Sequence, residues 1–350
     1  MATLDYGEVA VSPCLPPRYS LSSSNPSSMR AVVTPSLDGG RLDRACTELL
    51  GGRLSRSQVS RRIREELVTV DGKLVTRTGH LVHEGQELCL APLPIPEVDS
   101  ALQPLILWED EWLAVLDKPS GLPMHGNYVG DPHQSVARFL EEKYGSNLPT
   151  NQGAERPGIV HRLDKGTSGL CVVAFDQATF MDLQQQFADR TIQKEYQAIC
   201  YGRPRFKSDW VEARLVRDEK KPERMRVTRS NNPSTRDAST YWEVLERFEG
   251  FCHILARPKT GRTHQIRVHL TSIDLPLVGD PFYRARNFGP GMFPASAPRV
   301  ERTFLHASTL SFEHPAKGEQ MRFESQLAEV MQNFLKVLRA DLPAKEDAWS

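Results

Sequence analysis

The sequence predicts an α+β protein in which a large domain with a mixed, largely antiparallel sheet follows a small helix–helix–hairpin module. Short runs of alternating apolar and polar residues predict strands along most of the chain. Segments with helical spacing fall between these runs irregularly, without the regular strand–helix–strand spacing of a parallel sheet. A proline-rich stretch beginning at Pro92 separates two regions of different pattern, as a linker would.

These shifts in composition predict the domain organisation. The Ser- and Pro-rich start has no apolar core of the signal-peptide type, so we expect a disordered tail over residues 1–36. The small module then occupies residues 37–92, the linker 93–103 and the large domain 104–342. No run approaches 18 apolar residues, so no membrane span is expected.

Within the small module, two amphipathic helices precede a hairpin. The first helix follows from the spacing of apolar residues in RLDRACTELL, and Ser55 or Ser57 is a suitable N-cap for the second. VTVDGKLVT then alternates around Asp71-Gly72, which is a strong signal for a two-residue hairpin turn.

The second helix of this module is basic. Five arginines and no acid lie between residues 53 and 64, although the formal net charge of the whole chain is zero. Such a helix can lie along RNA with its basic face on phosphates, and a solvated surface helix is the alternative. The residues expected to contact RNA are Arg56, Arg61, Arg62 and Arg64.

In the large domain the predicted elements follow one another closely. An acidic turn joins two strands in LILWEDEWLAVL, and a strand over 170–175 precedes a helix capped by Asp176. KEYQAICYG, STYWEVLERF, FCHILAR and FLHASTLSFEHP read as further strands, with a helix after the turn at Thr260-Gly261. Residues 214–236 contain eight basic and three acidic residues and are expected to be loop-rich, and a terminal helix is expected over 323–342.

The six cysteines are scattered and include no CxxC pair, which favours a reduced, cytoplasmic compartment. The usual catalytic constellations are missing. His264 and His269 are five residues apart, where a helical zinc pair needs four, so no metal is expected. Ser168 lies in TSG and not in a G-x-S-x-G turn, and no second acid accompanies Asp164. Considered alone, Asp164 is best explained as an aspartate that caps the turn after it.

The surrounding motifs change this interpretation. HRLDKGTSGL, KEYQAI and GRTHQIRVHL, in this order, resemble the RluA-type family of RNA pseudouridine synthases. The resemblance extends to WEDEWLAVLDKPSGLPMH and FLHASTLSFEHP and covers about residues 100 to 330. The small module is similar to the S4-type RNA-binding domain that often precedes this catalytic domain. It departs from that pattern at Glu66, where a glycine usually precedes the hairpin.

The resemblance implies a fold of the pseudouridine synthase type and the isomerisation of uridine in RNA, in which the uracil leaves N1–C1′, turns and rejoins the sugar through C5. Such a reaction needs neither a cofactor nor a metal. The family pattern implies that Asp164 is catalytic, either attacking C1′ or removing a sugar proton. It implies that Arg267 pairs with Asp164, that Tyr196 stacks on the base, and that Arg162 fills the space left by a flipped uridine. Arg262, with His264 and Gln265, is a weaker candidate for shaping the pocket.

We expect RNA as the partner, most simply the large-subunit (23S) ribosomal RNA or its precursor, with the protein acting as a monomer. A synthase specific for transfer RNA remains an alternative. A non-catalytic RNA-binding or ribosome-assembly protein is another, although the intact Asp164, Tyr196 and Arg267 argue against it. A carboxylate-dependent glycosidase would need a second acid near Asp164.

Overall fold

A computed structural model describes residues 28–51, 54–91, 99, 102–126, 131, 133–145, 147–284 and 287–343. Its contacts divide the chain into two units, with the boundary between residues 96 and 97. Of the expected tail, residues 1–27 lie outside the described residues. Most of the expected linker, 93–103, lies outside them as well.

The N-terminal unit packs two helices against a four-stranded sheet. Its strands are β1 (Met29–Val32), β2 (Gly40–Arg41), β3 (Val68–Val70), β4 (Lys73–Leu74), β5 (Leu81–Val82) and β6 (Glu87–Leu90), and its helices are α1 (Leu42–Leu49) and α2 (Arg56–Arg64). The sheet order is β1-β6-β3-β4, and β2 pairs separately with β5. The predicted helices and the turn at Asp71-Gly72 are confirmed. Ser55 is the N-cap of α2, in a capping box with Gln58.

The expectation of a disordered tail is wrong for its last residues. Strand β1 pairs antiparallel with β6, with Met29 opposite Leu90 and Val32 opposite Glu87. Side chains in β1 alternate between partly buried and exposed, and Val33 directly after it is buried. The short apolar alternation of this segment becomes a strand because the edge of β6 supplies its hydrogen-bond partners.

The C-terminal unit contains a nine-stranded sheet flanked by helices. Its strands are β7 (Leu105–Glu109), β8 (Leu113–Lys118), β9 (Ser168–Ala174), β10 (Gln193–Tyr201), β11 (Ser208–Glu212), β14 (Ser239–Phe248), β15 (Phe251–Pro258), β16 (Leu305–Glu313) and β17 (Gln320–Glu324). A separate pair is formed by β12 (Arg214–Arg217) and β13 (Met225–Thr228), and the helices are α3 (Val136–Tyr144), α4 (Gln177–Asp189), α5 (Gln265–Ser272) and α6 (Glu329–Asp341).

Strand order in the large sheet is β11-β14-β15-β10-β16-β9-β8-β7, with β17 paired to β16. Only the pairing of β16 with β9 is parallel among these described strands, so the predicted mixed, largely antiparallel sheet is confirmed. Asp176 caps α4 by accepting hydrogen bonds from the backbone amides of Ala178 and Thr179, as predicted.

Two predicted segments differ. The basic stretch 214–236 contains a hairpin, β12–β13, because Leu215, Met225 and Val227 supply apolar contacts against the neighbouring elements. The expected terminal helix over 323–342 begins only at Glu329. Phe323 belongs to β17, where it lies opposite Leu310 and packs on Phe312. In both places pairing with the adjacent strand along the chain overrides the pattern that predicted a loop or a helix.

The crossing of β9 and β16 positions the loop that carries Asp164. Gly169 has φ 106°, and a Cβ built on it would lie 2.2 Å from the carbonyl oxygen of Ala307. A side chain at this position would therefore push the two strands apart. The glycine of the TSG sequence thus allows the loop 164–167 to end directly on the parallel pair.

Candidate active site

The loop from Asp164 to Thr167 is held by a turn of its own and by the partly buried segment that follows β8. Thr167 closes a turn by donating its amide to the carbonyl of Asp164 over 3.0 Å. Ser120 donates its hydroxyl to the carbonyl of Gly166, and the Gly121 amide donates to the carbonyl of Lys165, each over 2.8 Å. These bonds satisfy the polar backbone of the loop and restrict the position of the Asp164 side chain.

Two cations, one buried and one partly buried, also support this loop and the start of β9. Lys118 is fully buried and donates to the carbonyls of Pro119 and Leu122, both at 2.9 Å, with the carbonyl of Lys165 at 3.4 Å. Burial lowers the pKa of Lys118 to about 8. Arg302 donates to the hydroxyl of Ser168 over 2.7 Å, and burial lowers its pKa to about 10. The sequence reasoning missed both, since neither lies in a pattern that signals burial of charge.

Asp164 pairs with Arg267 as the family resemblance implies. Nη1 of Arg267 lies 3.0 Å from Oδ2 of Asp164, and the two residues are 103 positions apart in the chain. The arginine side chain is 6% exposed and the aspartate side chain 21% exposed, so the carboxylate remains open to a ligand. Helix α5 provides this geometry because it presents Arg267 towards the start of β9.

A second carboxylate orients the same guanidinium. Nε of Arg267 lies 2.6 Å from Oδ2 of Asp280 and Nη2 lies 2.9 Å from Oδ1, a bidentate pair within a buried site. Burial lowers the pKa of Arg267, but the hydrogen bonds and charge of Asp280, followed by the charge of Asp164, outweigh burial and raise it. Arg267 therefore stays charged and has one Nη left for Asp164.

Asp280 was not singled out from the sequence. It lies in a Gly-Asp-Pro turn after the buried residues Leu277 and Val278, and it also accepts the backbone amides of Phe282 at 2.9 Å and Tyr283 at 3.1 Å. The available signal was a single acid in a short turn directly after an apolar run. That signal is weak, because most such acids only cap turns.

Tyr196 lies on β10 and is partly buried. It lines a cavity of about 120 Å³ together with Asp164, Arg267 and Leu305. Burial, and next the charge of Asp164, raise the pKa of its phenol above the ordinary value. The ring is therefore a neutral aromatic surface beside the carboxylate at neutral pH.

A second, larger cavity lies on the other side of the carboxylate. It has a volume of about 710 Å³, and its wall includes Tyr201, Phe282, Phe288 and Arg302. Asp164, Arg162, His264 and Arg267 line both cavities. The carboxylate thus stands between a small compartment beside Tyr196 and a wide compartment of a size that holds small-molecule ligands.

The remaining predicted residues lie around the small cavity. Arg162 is exposed and forms no ion pair within the part of the chain that the structure describes. Burial of its stem, and next the charge of Arg156, lower its pKa. Arg262 is exposed and donates through Nε to the carbonyl of Asp237 over 3.3 Å. Gln265 fixes this turn by accepting from the hydroxyl of Thr260 at 2.6 Å and from the amide of Arg262 at 3.1 Å.

In the N-terminal unit, the four arginines of α2 do not form one uniform exposed face. Arg62 is only 6% exposed, which differs from the expectation, because it lies three residues after the buried Val59 and next to the buried Ile63. Arg56 pairs with the buried Asp43 on α1 at 2.9 Å, and Arg61 pairs with Glu65 at 2.7 Å.

The two acidic partners, Asp43 and Glu65, lie outside the span 53–64, which contains no acid. Arg64 is exposed and lines a surface pocket of about 560 Å³ with Arg77 and His80. The basic surface of this unit therefore depends on residues of the hairpin region as well as on α2.

The described residues contain no group of three or more His, Cys, Asp or Glu residues that could hold a metal ion. None of the helices described is long and apolar enough to cross a membrane. The five cysteines within the described residues are free and buried.

Comparison with known proteins shows the family to which the chain belongs. A family model described as RNA pseudouridylate synthase matches residues 112–272, and one described as S4 domain matches residues 40–88. A Pseudomonas aeruginosa protein named ribosomal large subunit pseudouridine synthase D is 35% identical over 323 residues, which cover 90% of this chain and 97% of that protein. A protein of the same name from Escherichia coli O157:H7 is 32% identical, covering 91% and 97%.

A Bacillus subtilis protein named uncharacterized RNA pseudouridine synthase is 34% identical over 81% of this chain and 90% of its own length. A solved structure described as human RNA pseudouridylate synthase domain containing 4 superposes with a TM-score of 0.52 at 26% identity. It covers 69% of this chain and 94% of the solved one. The chain therefore belongs to the RNA pseudouridylate synthase family, with an S4 domain ahead of its synthase domain.

Proposed function

We propose that this protein converts uridines of large-subunit ribosomal RNA to pseudouridine. The relatives named as large-subunit enzymes align over nearly their whole length, and this chain carries an S4 domain ahead of its synthase domain. A separate RNA-binding domain suits a large structured substrate, which a small catalytic cleft alone would hold weakly. The free, buried cysteines fit a reducing compartment, and we place the reaction in the cytoplasm.

The observation that carries this proposal is the position of the Asp164 carboxylate. It is 21% exposed, paired with a buried guanidinium, and located between a small cavity and a wide one. A carboxylate with one face open can attack C1′ of the ribose, or remove a sugar proton, while the uracil turns in the compartment beside it. Arg267 directs this carboxylate, since Asp280 holds the arginine itself.

Tyr196 and Arg162 are proposed to handle the base. The small cavity places the Tyr196 ring on one wall, where an uracil can stack on it during rotation. Arg162 is exposed and lies two residues before Asp164, so it can occupy the place in the base stack that a flipped uridine leaves. Arg262 lies at the rim of the same cavity, where it can contact the RNA backbone.

In the S4 domain, we propose that Arg56, Arg61 and Arg64 contact RNA phosphates. The side chain of Arg56 is 57% exposed, that of Arg61 is 35% exposed, and Arg64 is exposed. Arg62 is buried and supports the helix. Exposed arginines supply affinity without sequence specificity, so the choice of uridine belongs to the synthase domain.

The test is pseudouridine mapping of total RNA from cells with and without the gene, complemented by wild-type protein or Asp164→Asn. We expect at least one large-subunit position to lose its signal in the deletion, to regain it with wild type, and to stay unmodified with Asp164→Asn. RNA binding by purified Asp164→Asn should stay within about threefold of wild type, because the substitution keeps size and hydrogen bonding.

Three results would contradict the proposal. Loss of signal only in transfer RNA would move the substrate to that class. No change at any position would favour a binding or assembly role for the protein. Restoration of the signal by Asp164→Asn would remove the catalytic assignment of Asp164.

A further inference from the structure

His264 lies beside the Asp164 carboxylate, as Arg267 does. Its Nε2 lies 3.9 Å from Oδ2 of Asp164, the same oxygen that accepts from Arg267. This separation is too long for a hydrogen bond, whose usual length is about 2.8 to 3.0 Å. The His264 side chain is 13% exposed and borders both cavities, so the space between the two atoms opens to a ligand.

The tautomer of His264 follows from its neighbours. Tyr283 Oη accepts the backbone amide of Met225 over 2.8 Å and lies 2.8 Å from Nδ1 of His264. Among the described residues, Nδ1 is the acceptor that this hydroxyl proton can reach. When Tyr283 donates to Nδ1, the one remaining proton of a neutral imidazole is on Nε2. His264 therefore directs an N–H donor at the gap beside Asp164.

Charged groups around the ring keep it neutral. Burial lowers the pKa of His264, and the charges of Arg267 on its own helix and Arg162 on the catalytic loop lower it further. The carboxylates of Asp164 and Asp280 oppose this effect but do not reverse it. Phe282 covers one face of the ring at a centroid distance of 5.9 Å, which limits rotation of the imidazole.

The donor on His264 and the carboxylate of Asp164 can be bridged by one group that both accepts and donates a hydrogen bond. A hydroxyl oxygen about 2.8 Å from each atom would accept from Nε2–H and donate to Oδ2 of Asp164. In a uridine, the base and the 2′-hydroxyl lie on opposite faces of the ribose. A carboxylate that acts at C1′ from the face opposite the base therefore meets the 2′-hydroxyl next to it.

We propose that His264, fixed by Tyr283, binds the 2′-hydroxyl of the target ribose and so makes the site select ribose over deoxyribose. This inference rests on the proposed function and adds the recognition of the sugar to it. The 2′-hydroxyl is the group by which a protein distinguishes RNA from DNA at one position. Met225 belongs to the hairpin β12–β13, and its amide holds the Tyr283 hydroxyl that sets the tautomer of His264. The position of this hairpin therefore supports that tautomer.

The test combines a substitution in the full-length protein with a change of sugar in the RNA, as in a double-mutant cycle. A synthetic RNA hairpin spanning a mapped target uridine is made with either ribose or 2′-deoxyribose at that nucleotide only. Single-turnover rates are then measured for wild type and His264→Asn. Asparagine is chosen because His264 has φ 57°, a left-handed conformation that asparagine tolerates, and because its amide is too short to reach the gap.

Wild type should react about 10- to 100-fold more slowly with the deoxyribose target, the size of a hydrogen bond to a charged network. His264→Asn should be slow with ribose and should differ between the two targets by less than about threefold. The intrinsic lability of a deoxyribose glycosidic bond affects both enzymes equally, so the cycle removes it.

Tyr283→Phe is the second variant, because it keeps the ring and removes the hydroxyl that contacts both His264 and the amide of Met225. It should reduce the discrimination between the two targets to an intermediate value, with its melting temperature measured as a check on folding. The same discrimination in all three proteins, or none in wild type, overturns the assignment to His264 while leaving the proposed function intact. No pseudouridine with wild type on the ribose target overturns both.

Discussion

Arg267 and Asp280 form a bidentate ion pair beneath the candidate active site, with N–O distances of 2.6 and 2.9 Å. The pair is buried, whereas Asp164, which shares the guanidinium, is partly open. The two aspartates therefore have different roles: Asp280 holds the arginine in place, and Asp164 faces the cavities.

This difference predicts stability effects of unequal size for the two conservative variants. Asp280→Asn leaves a buried guanidinium without its main counter-charge and should lower the free energy of unfolding by about 3 kcal/mol. Asp164→Asn should change it by less than about 1 kcal/mol, since Arg267 keeps Asp280. Urea unfolding followed by tryptophan fluorescence measures both. Equal destabilisation by the two variants would contradict the division of roles.

The fork geometry of Arg267 predicts that lysine cannot replace it. An ammonium group is a single point charge and cannot bind both oxygens of Asp280 while reaching Asp164. Arg267→Lys should reduce the single-turnover rate by about 100-fold, as expected when a reacting group is displaced by about 1 Å. Arg257→Lys is the matched control, because that arginine is 44% exposed and pairs with Glu195 on the sheet surface. Its rate should match wild type.

Exposed arginines of the S4 domain predict the salt dependence of RNA binding. Arg61→Gln combined with Arg64→Gln should weaken affinity and reduce the slope of log K against log salt by about 2. Arg30→Gln, on β1 and 51% exposed, is the control for loss of a surface charge. An unchanged slope in the double variant would mean that α2 does not touch phosphate. Arg62 is avoided here because its replacement would disturb packing.

Glu66 predicts a stabilising substitution. It has φ 62° and an exposed side chain, directly before β3, at the position where related domains usually have glycine. A left-handed conformation costs a residue with a Cβ about 1 kcal/mol, so Glu66→Gly should stabilise the N-terminal unit by about that amount. Glu66→Ala keeps the Cβ and should give no such gain. Hydrogen exchange of amides in α1 and β6 reports on this unit alone.

His161 predicts a pH dependence of stability. Its Nε2 accepts the amide of Val172 over 3.0 Å, and its ring stacks on Phe187 at 4.6 Å. Burial lowers the pKa of His161 to about 3, below the ordinary value of 6.5. Its contribution is therefore complete above pH 6.5 and is lost as the pH falls towards 3, because the unfolded chain takes up the proton first.

The expected measurement is the free energy of unfolding between pH 7 and pH 4.5 for wild type and His161→Gln. Glutamine can still accept a hydrogen bond but does not titrate. Wild type should lose up to about 1.4 kcal/mol per pH unit more than the variant below pH 6.5. Parallel pH curves would show that His161 is not buried in its neutral form.

The sequence by itself determined the features that depend on neighbours along the chain. The hairpin turn at Asp71-Gly72, the N-caps Ser55 and Asp176 and the alternation around Tyr196 follow from local backbone and hydrogen-bond preferences, and the structure confirms them. The motifs around Asp164 and Arg267 also predicted their pairing, because the resemblance to a family includes tertiary information that the local pattern lacks.

Only the tertiary structure decided which charges are buried and which segments find strand partners. Asp280, Lys118 and Arg302 look like ordinary polar residues, and the local pattern does not show that they bond Arg267, the carbonyls of Leu122 and Lys165, and Ser168, respectively. The pairing of β1 with β6 depends likewise on a distant partner. The physical reason is that a buried charge or an edge strand is stable only when its hydrogen-bond partners are present, and folding alone brings them together.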